Sequence, residues 1–126
     1  MNRMAQVAFV DDDKITLKYH ESIAKNTTLI EEVLTFSDPK EFLLYLGAAD
    51  VIPDIIFTDV EMPDVDGFDL IAELKKMNMD IKTSVVIVSS HKSIENTINA
   101  VDLSVKYFIE KPLTEKKIEE IVISLS

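Results

Sequence analysis

Four apolar runs in this chain each stop at a side chain capable of polar chemistry. Val7-Ala8-Phe9-Val10 stops at Asp11-Asp12, and Ile55-Ile56-Phe57 stops just before Asp59. Val85-Val86-Ile87-Val88 stops at Ser89, and Tyr107-Phe108-Ile109 leads through Glu110 to Lys111. Three carboxylates at neighbouring strand ends repel one another unless a cation joins them. Hard oxygen donors suit Mg²⁺, which keeps several waters and often completes its octahedron with a phosphoryl oxygen. A carboxylate can also attack phosphorus and form an acyl phosphate. Phosphoryl transfer chiefly needs alignment and neutralisation of the equatorial oxygens. A metal can hold one such oxygen, the Lys111 ammonium a second and the Ser89 hydroxyl a third. Asp59 is the expected centre of this chemistry.

Taken singly, each residue has a plainer explanation. An Asp at a strand end often caps a helix or sits in a solvated turn, and Asp13, Asp64 and Asp66 are read that way. Ser89 alone is a loop hydroxyl and Lys111 alone a surface charge. The conjunction of four strand ends in one order favours the functional reading. His20, in the first helix, is expected at the surface. His91 stands two residues beyond Ser89 on the same rim. No His/Asp spacing supports zinc, no Gly-rich loop resembles a nucleotide cradle, and no Ser-His-Asp arrangement can be inferred.

The elements that must position these residues alternate strictly. Strands are expected at Ala5–Val10, Glu32–Phe36, Ile55–Phe57, Ser84–Val88 and Val105–Ile109. Asp13 caps a first helix with Ile15, Tyr19 and Ile23 on one face; Ser37 or Asp38 caps a second, with Pro39 in its first turn, Phe42, Leu43 and Leu46 inward and Gly47 as its stop. Gly67 opens a third, with Leu70, Ile71, Leu74 and Met77 inward and Lys75-Lys76 near its end, favourable for the macrodipole. A fourth helix spans roughly Ser93 to Leu103. Thr114 caps the last, which carries Ile118, Ile121, Val122 and Leu125 at spacings of three and four. Five strand–helix pairs imply right-handed crossovers and an α/β fold, a parallel sheet with helices on both faces. In such sheets the working groups gather beyond the carboxyl ends of the strands.

Composition narrows the classes. The 126 residues suffice for one domain, residues 1–126, with a core that needs no staples. No run approaches the ~20 apolar residues of a membrane helix, the start lacks a signal-peptide pattern, and a cytoplasmic location is expected. Without cysteine there is no disulfide, thiol catalysis or thiolate metal site. A net charge of -10 argues against direct nucleic-acid binding and suits a divalent cation or a basic partner.

On VDDD at 10 to 13, the D-x-x-M-P-x-x-D-G string from Asp59 to Gly67, VSS at 88 to 90 and EKP at 110 to 112, the chain resembles the receiver domain of two-component response regulators, of the chemotaxis-regulator type. The resemblance covers nearly the whole chain and implies a doubly wound, flavodoxin-like five-stranded sheet in the order 2-1-3-4-5. It implies that Asp59 accepts a phosphoryl group from a phosphohistidine on a sensor histidine kinase or histidine phosphotransfer protein. Asp11 and Asp12 match the acidic pair that binds Mg²⁺ together with Asp59 and the backbone carbonyl of Glu61. Ser89 matches the inward-turning hydroxyl, and Lys111 the phosphate-pairing lysine, whose bond to Pro112 is often cis in the family. Phe108 matches the switch aromatic, while Tyr107 is expected on the other side of the strand. Glu61 and His91 match positions that influence phosphoryl lifetime.

The implied mechanism is a population shift. The phosphoryl group recruits Ser89 and Lys111, Phe108 rotates inward, and the face formed by the fourth helix, fifth strand and last helix is reshaped for an unknown downstream protein. The Gly-Ala pair common before the fifth strand is replaced by Leu103-Ser104-Val105. The chain is expected to be an enzyme only in catalysing its own modification and dephosphorylation, and to need neither nucleic acid nor membrane. Its ending after the last helix favours a stand-alone receiver. The alternatives are a receiver cut from a larger transcriptional or enzymatic regulator, and a haloacid-dehalogenase-like phosphatase with Glu61 as acid/base.

Overall fold

Burial on both faces explains why the central strands show no polar alternation. In the computed structural model, which describes residues 5–79, 83–90 and 105–125, Val7 and Phe9 enter one apolar cluster while Ala8 and Val10 enter another. The strands are β1 (Ala5–Val10), β2 (Ile30–Phe36), β3 (Ile55–Thr58), β4 (Ser84–Ser89) and β5 (Tyr107–Glu110). All pair in parallel, in the order β2-β1-β3-β4-β5, as the resemblance implies. The described helices are α1 (Lys14–Lys25), α2 (Pro39–Ala48), α3 (Gly67–Lys76) and a C-terminal α4 (Glu115–Leu125). The helix expected over Ser93 to Leu103, and His91, lie outside the described residues.

One cluster, under α1 and α4, joins Val7, Phe9, Ile55, Phe57, Val86 and Val88 to Leu17, Ile118, Ile121 and Val122. The other, under α2 and α3, joins Ala8, Val10, Ile56, Val85 and Ile87 to Phe42, Leu46, Leu70, Ile71 and Leu74. Odd and even positions of the same strands thus feed opposite cores, as a pleat requires.

Helix starts follow their caps. Asp13 accepts from the amides of Ile15 and Thr16, Asp38 from Lys40, and Thr114 from Lys117. Asp66 and Asp69 form a reciprocal capping box.

Several sequence expectations need correcting. β2 begins at Ile30 rather than Glu32, β3 and β4 each run one residue further, and β5 spans Tyr107–Glu110 rather than Val105–Ile109. Helix α2 continues past Gly47 to Ala48. The expected inner stripe of α1 is rotated: Ile15 is 83% and Tyr19 49% exposed, whereas Leu17, His20 and Ala24 are buried. A strict four-residue spacing drifts by about 40° per step around a helix, while positions 17, 20 and 24 mix steps of three and four and stay on one side. His20 is therefore a core residue, 4% exposed, and the expectation of a surface position is wrong.

Candidate functional site

The strand order reverses at β1, whose two neighbours, β2 and β3, are reached by crossovers on opposite faces. The crevice of such a sheet opens at the carboxyl ends of the strands beside that reversal. Asp11 and Asp59 are the first residues past β1 and β3. The ladder continues through their backbones: Asp59 N donates to Val10 O (3.0 Å) and Asp11 N to Phe36 O (3.1 Å). The two carboxylates therefore leave from backbone already fixed in the sheet.

Each carboxylate divides its oxygens between two kinds of donor. Asp11 Oδ1 accepts from the Asp13 amide at 2.9 Å, and Asp59 Oδ1 from the Val60 amide at 2.8 Å. The other oxygens face one shared ammonium. Lys111 Nζ lies 2.9 Å from Asp11 Oδ2 and 3.5 Å from Asp59 Oδ2. Carboxylate oxygens of Asp11, Asp12 and Asp59 all lie within 4.8 Å of one another. Asp11 is buried, Asp59 partly buried and Asp12 exposed, so the cluster opens to solvent on one side.

Electrostatics follow from that placement. Burial pushes the Asp59 carboxyl above its ordinary range, Lys111 opposes the shift, and Asp11 adds to it. Burial acts to lower the Lys111 ammonium, but its hydrogen bond and attraction to Asp11, with the pull of Asp59, outweigh this and raise it. Three acids against one ammonium leave a formal deficit of two positive charges. An all-oxygen donor set of this charge and spacing fits one hard divalent cation such as Mg²⁺.

Ser89 closes β4, is buried, and accepts the Lys111 amide through its carbonyl at 2.8 Å. By strand alternation its side chain continues the row of Val85 and Ile87, on the face opposite Asp59. Phe108 packs into that same cluster beside its register partner Ile87. Tyr107 points the other way, and its hydroxyl bonds Ser124 Oγ of α4. The Lys111–Pro112 peptide is cis. Glu61 is exposed two residues beyond Asp59. The structure thus brings together Asp11, Asp12, Asp59 and Lys111, with Ser89 on the adjoining strand end.

Sequence reasoning missed two supports. A Cβ on Gly67 would lie 2.3 Å from Asp59 O and 2.9 Å from Val60 Cα, so only glycine lets α3 start against the backbone of Asp59. The D-G pair was visible as a turn, but not the contact behind it. His20 was also missed: it packs on Phe9 with ring centroids 5.6 Å apart, and burial holds its imidazole down at about 4 from 6.5.

Comparison with known proteins bears on the family of the whole chain. The family described as "Response regulator receiver domain" matches residues 7–123. The chain is 29% identical over 109 residues to the transcriptional regulatory protein NatR of Bacillus subtilis, covering 86% of this chain and 44% of that protein. It is 34% identical over 113 residues to a protein-glutamate methylesterase/protein-glutamine glutaminase of Enterobacter cloacae, covering 85% of this chain and 30% of that one. The chain therefore spans less than half the length of these relatives. Among solved structures, the receiver domain of the Francisella response regulator 1452 is 28% identical, with a TM-score of 0.82 over 96% of this chain and 95% of that one. The chemotaxis protein CheY4 of Vibrio cholerae, at 21% identity, shares the fold with a TM-score of 0.85 over 98% of this chain and 100% of that one.

Proposed function

The chain belongs to the response regulator receiver domain family, and from that premise we propose that residues 1–126 form one receiver unit that takes a phosphoryl group onto Asp59 and releases it again. The observation that carries this is the single ammonium of Lys111 held between the carboxylates of Asp11 and Asp59 at the strand-order reversal. In the proposed reaction an Asp59 oxygen forms a bond to phosphorus while the bond from phosphorus to a donor imidazole nitrogen breaks. The product is a mixed anhydride, and the electron pair leaves with the imidazole. Lys111 keeps its proton and shifts its charge from the carboxylates to a phosphoryl oxygen. The Val60 amide holds the other Asp59 oxygen and fixes the direction of attack. Asp11, Asp12 and Asp59, with the Glu61 carbonyl, would hold Mg²⁺, which when bound supplies charge neutralisation for the transferring group.

The donor in this reading is a phosphohistidine on a histidine kinase or phosphotransfer protein. Ser89 then turns toward the new oxygens and frees space for Phe108 to move inward, altering the face that a downstream protein reads. Glu61 and His91, two residues beyond Asp59 and Ser89 in the sequence, set the lifetime of the anhydride in this reading. The catalysis is confined to the chain's own modification. No helix among the described residues is long and apolar enough to cross a membrane. A cytoplasmic site of action belongs to this reading through its kinase donor. The length of the relatives supports a second reading, in which this receiver governs an output segment of a longer protein.

The test is Mg²⁺-dependent labelling by a small acyl phosphate or phosphoramidate, followed by intact mass. One phosphoryl group is expected on the wild-type chain and none on Asp59→Asn. Equal labelling of both would remove Asp59 from the role. Affinity for a captured partner should then differ with and without a phosphoryl mimic.

A further inference from the structure

One step of the pleat below the carboxylates, β1 and β3 carry a pair of stacked rings. Phe9 and Phe57 are register partners, with centroids 4.7 Å apart and planes inclined by 15°, and each is 1% exposed. Each ring precedes a pocket carboxylate, Asp11 or Asp59, by two residues. Ring and carboxylate therefore project from the same face of the same strand. His20 reaches in from α1 and backs Phe9, inclined at 37°. The charges that act on this imidazole are those of Asp11 at the end of β1 and Lys111 beyond β5. The ring pair is the apolar floor of the acid pocket.

Of the register pairs between β1 and β3, the aromatic one is the pair two residues before the carboxylates. One layer further down, the register partners are Val7 and Ile55, and on the opposite face they are Ala8 with Ile56 and Val10 with Thr58. Adjacent strands in a sheet lie about 4.7–4.9 Å apart, so stacked rings fill the gap between β1 and β3 with flat, rigid surfaces. Branched aliphatic pairs leave more freedom to shear. A floor that resists spreading matters for a cation pocket. Mg²⁺ demands near-ideal octahedral oxygens at about 2.0–2.1 Å, whereas Ca²⁺ accepts looser sets at about 2.3–2.6 Å.

We infer that the Phe9–Phe57 stack, backed by His20, holds the Asp11 and Asp59 carboxylates at a separation that favours Mg²⁺ over the larger Ca²⁺. These are positioning residues, since none of the rings touches the ion, and the inference rests on reading the acid pocket as a divalent-cation site.

The readout is a ratio of affinities, which a general loss of stability leaves unmoved. Full-length wild type, Phe9→Leu, Phe57→Leu, His20→Leu and Phe42→Leu are each titrated with Mg²⁺ and, separately, with Ca²⁺, and amide chemical shifts are followed. In Phe9→Leu and Phe57→Leu the preference should move toward Ca²⁺ by about threefold or more, less than the ~10–100-fold that follows loss of a hydrogen-bonded outer-shell partner. His20→Leu should move it less. Phe42→Leu, a truncation in the cluster on the other face, should leave it unchanged. If a leucine variant does not fold, Phe→Met at the same position keeps the bulk, loses the flat face and carries the same expectation. An unmoved ratio in both ring variants, or an equal shift in Phe42→Leu, overturns the inference while leaving the cation site intact. A wild-type chain that binds neither cation, or affinities that Asp59→Asn does not change, would remove the cation-site reading itself and the inference with it.

Discussion

The two faces of the sheet are built from the same five strands, yet they handle polarity in opposite ways. Beneath α1 and α4, the rows Val7–Phe9 and Ile55–Phe57 run on into Asp11 and Asp59, and Lys111 follows the row of Ile109. Buried charge is tolerable there because one ammonium answers two carboxylates. Beneath α2 and α3, the row Val85–Ile87 runs on into a neutral hydroxyl, Ser89, with Phe108 alongside. That side is held by apolar packing and close backbone contact. The difference teaches how one rim can unite a charged site and a neutral one. In the proposed reaction, Lys111 meets the phosphoryl group from the side it already occupies, whereas Ser89 reaches it from across the rim. On that proposal, charge added on one face draws movement from the other.

The strongest way to break this division is steric. Gly67→Ala places a carbon against the Asp59 carbonyl, and overpacking against backbone that cannot yield should cost about 3 kcal/mol. Urea unfolding should show that loss together with impaired phosphoryl labelling. A mild, purely conformational effect would mean that α3 can retreat and that its fit to Asp59 is not needed.

Electrostatic disruption comes next. Lys111→Met leaves the Asp11 and Asp59 carboxylates without their counter-charge; because the site opens to solvent, the loss at neutral pH should fall below the ~3–5 kcal/mol of a fully buried pair, at about 2 kcal/mol. Adding Asp59→Asn should restore part of it, since burial already disfavours the charged Asp59 carboxyl and Asp11 repels it. Unfolding midpoints that simply add across the double variant would show that the three groups do not act as one unit.

A pH titration sharpens the comparison from beneath the pocket. His20 takes up a proton near 6.5 when the chain is unfolded but only near about 4 when it is folded. The unfolded state thus binds the extra proton first as pH falls, and stability drops between those two values. His20→Leu should flatten that part of the stability curve. An unchanged slope would place the acid sensitivity elsewhere. The smallest effect is expected at the Lys40–Asp64 pair (3.1 Å), which ties α2 to the loop after β3 in full view of solvent. Lys40→Ala should alter stability by no more than about 0.5 kcal/mol. A larger loss would give the apolar side an electrostatic support of its own.

Much of the site could be read from the chain because it follows a rule of position. Asp11, Asp59 and Lys111 stand just beyond strands, and a parallel sheet gathers such ends on one rim. Caps at Asp13, Asp38, Asp66 and Thr114 were legible for a similar reason, since the oxygen and the amide it satisfies lie within three residues. The face of α1 was not legible. Ile15, Tyr19 and Ile23 are the more apolar set, so hydrophobicity points away from Leu17, His20 and Ala24, although these keep better to one side. The docking of the helix on Phe9 shows that the second set faces inward.

By itself the sequence determined which acids and which ammonium lie at or just beyond the strand ends, how the strands and helices alternate, and hence that these groups would share an edge. Those features are local, set by hydrophobic period and by caps a few residues away. Tertiary structure alone decided that Lys111 bridges Asp11 and Asp59, that Gly67 lies against the Asp59 carbonyl, and that His20 is buried beneath the pocket. Each depends on the distance between segments far apart in the chain, and that distance exists only after the two cores have packed.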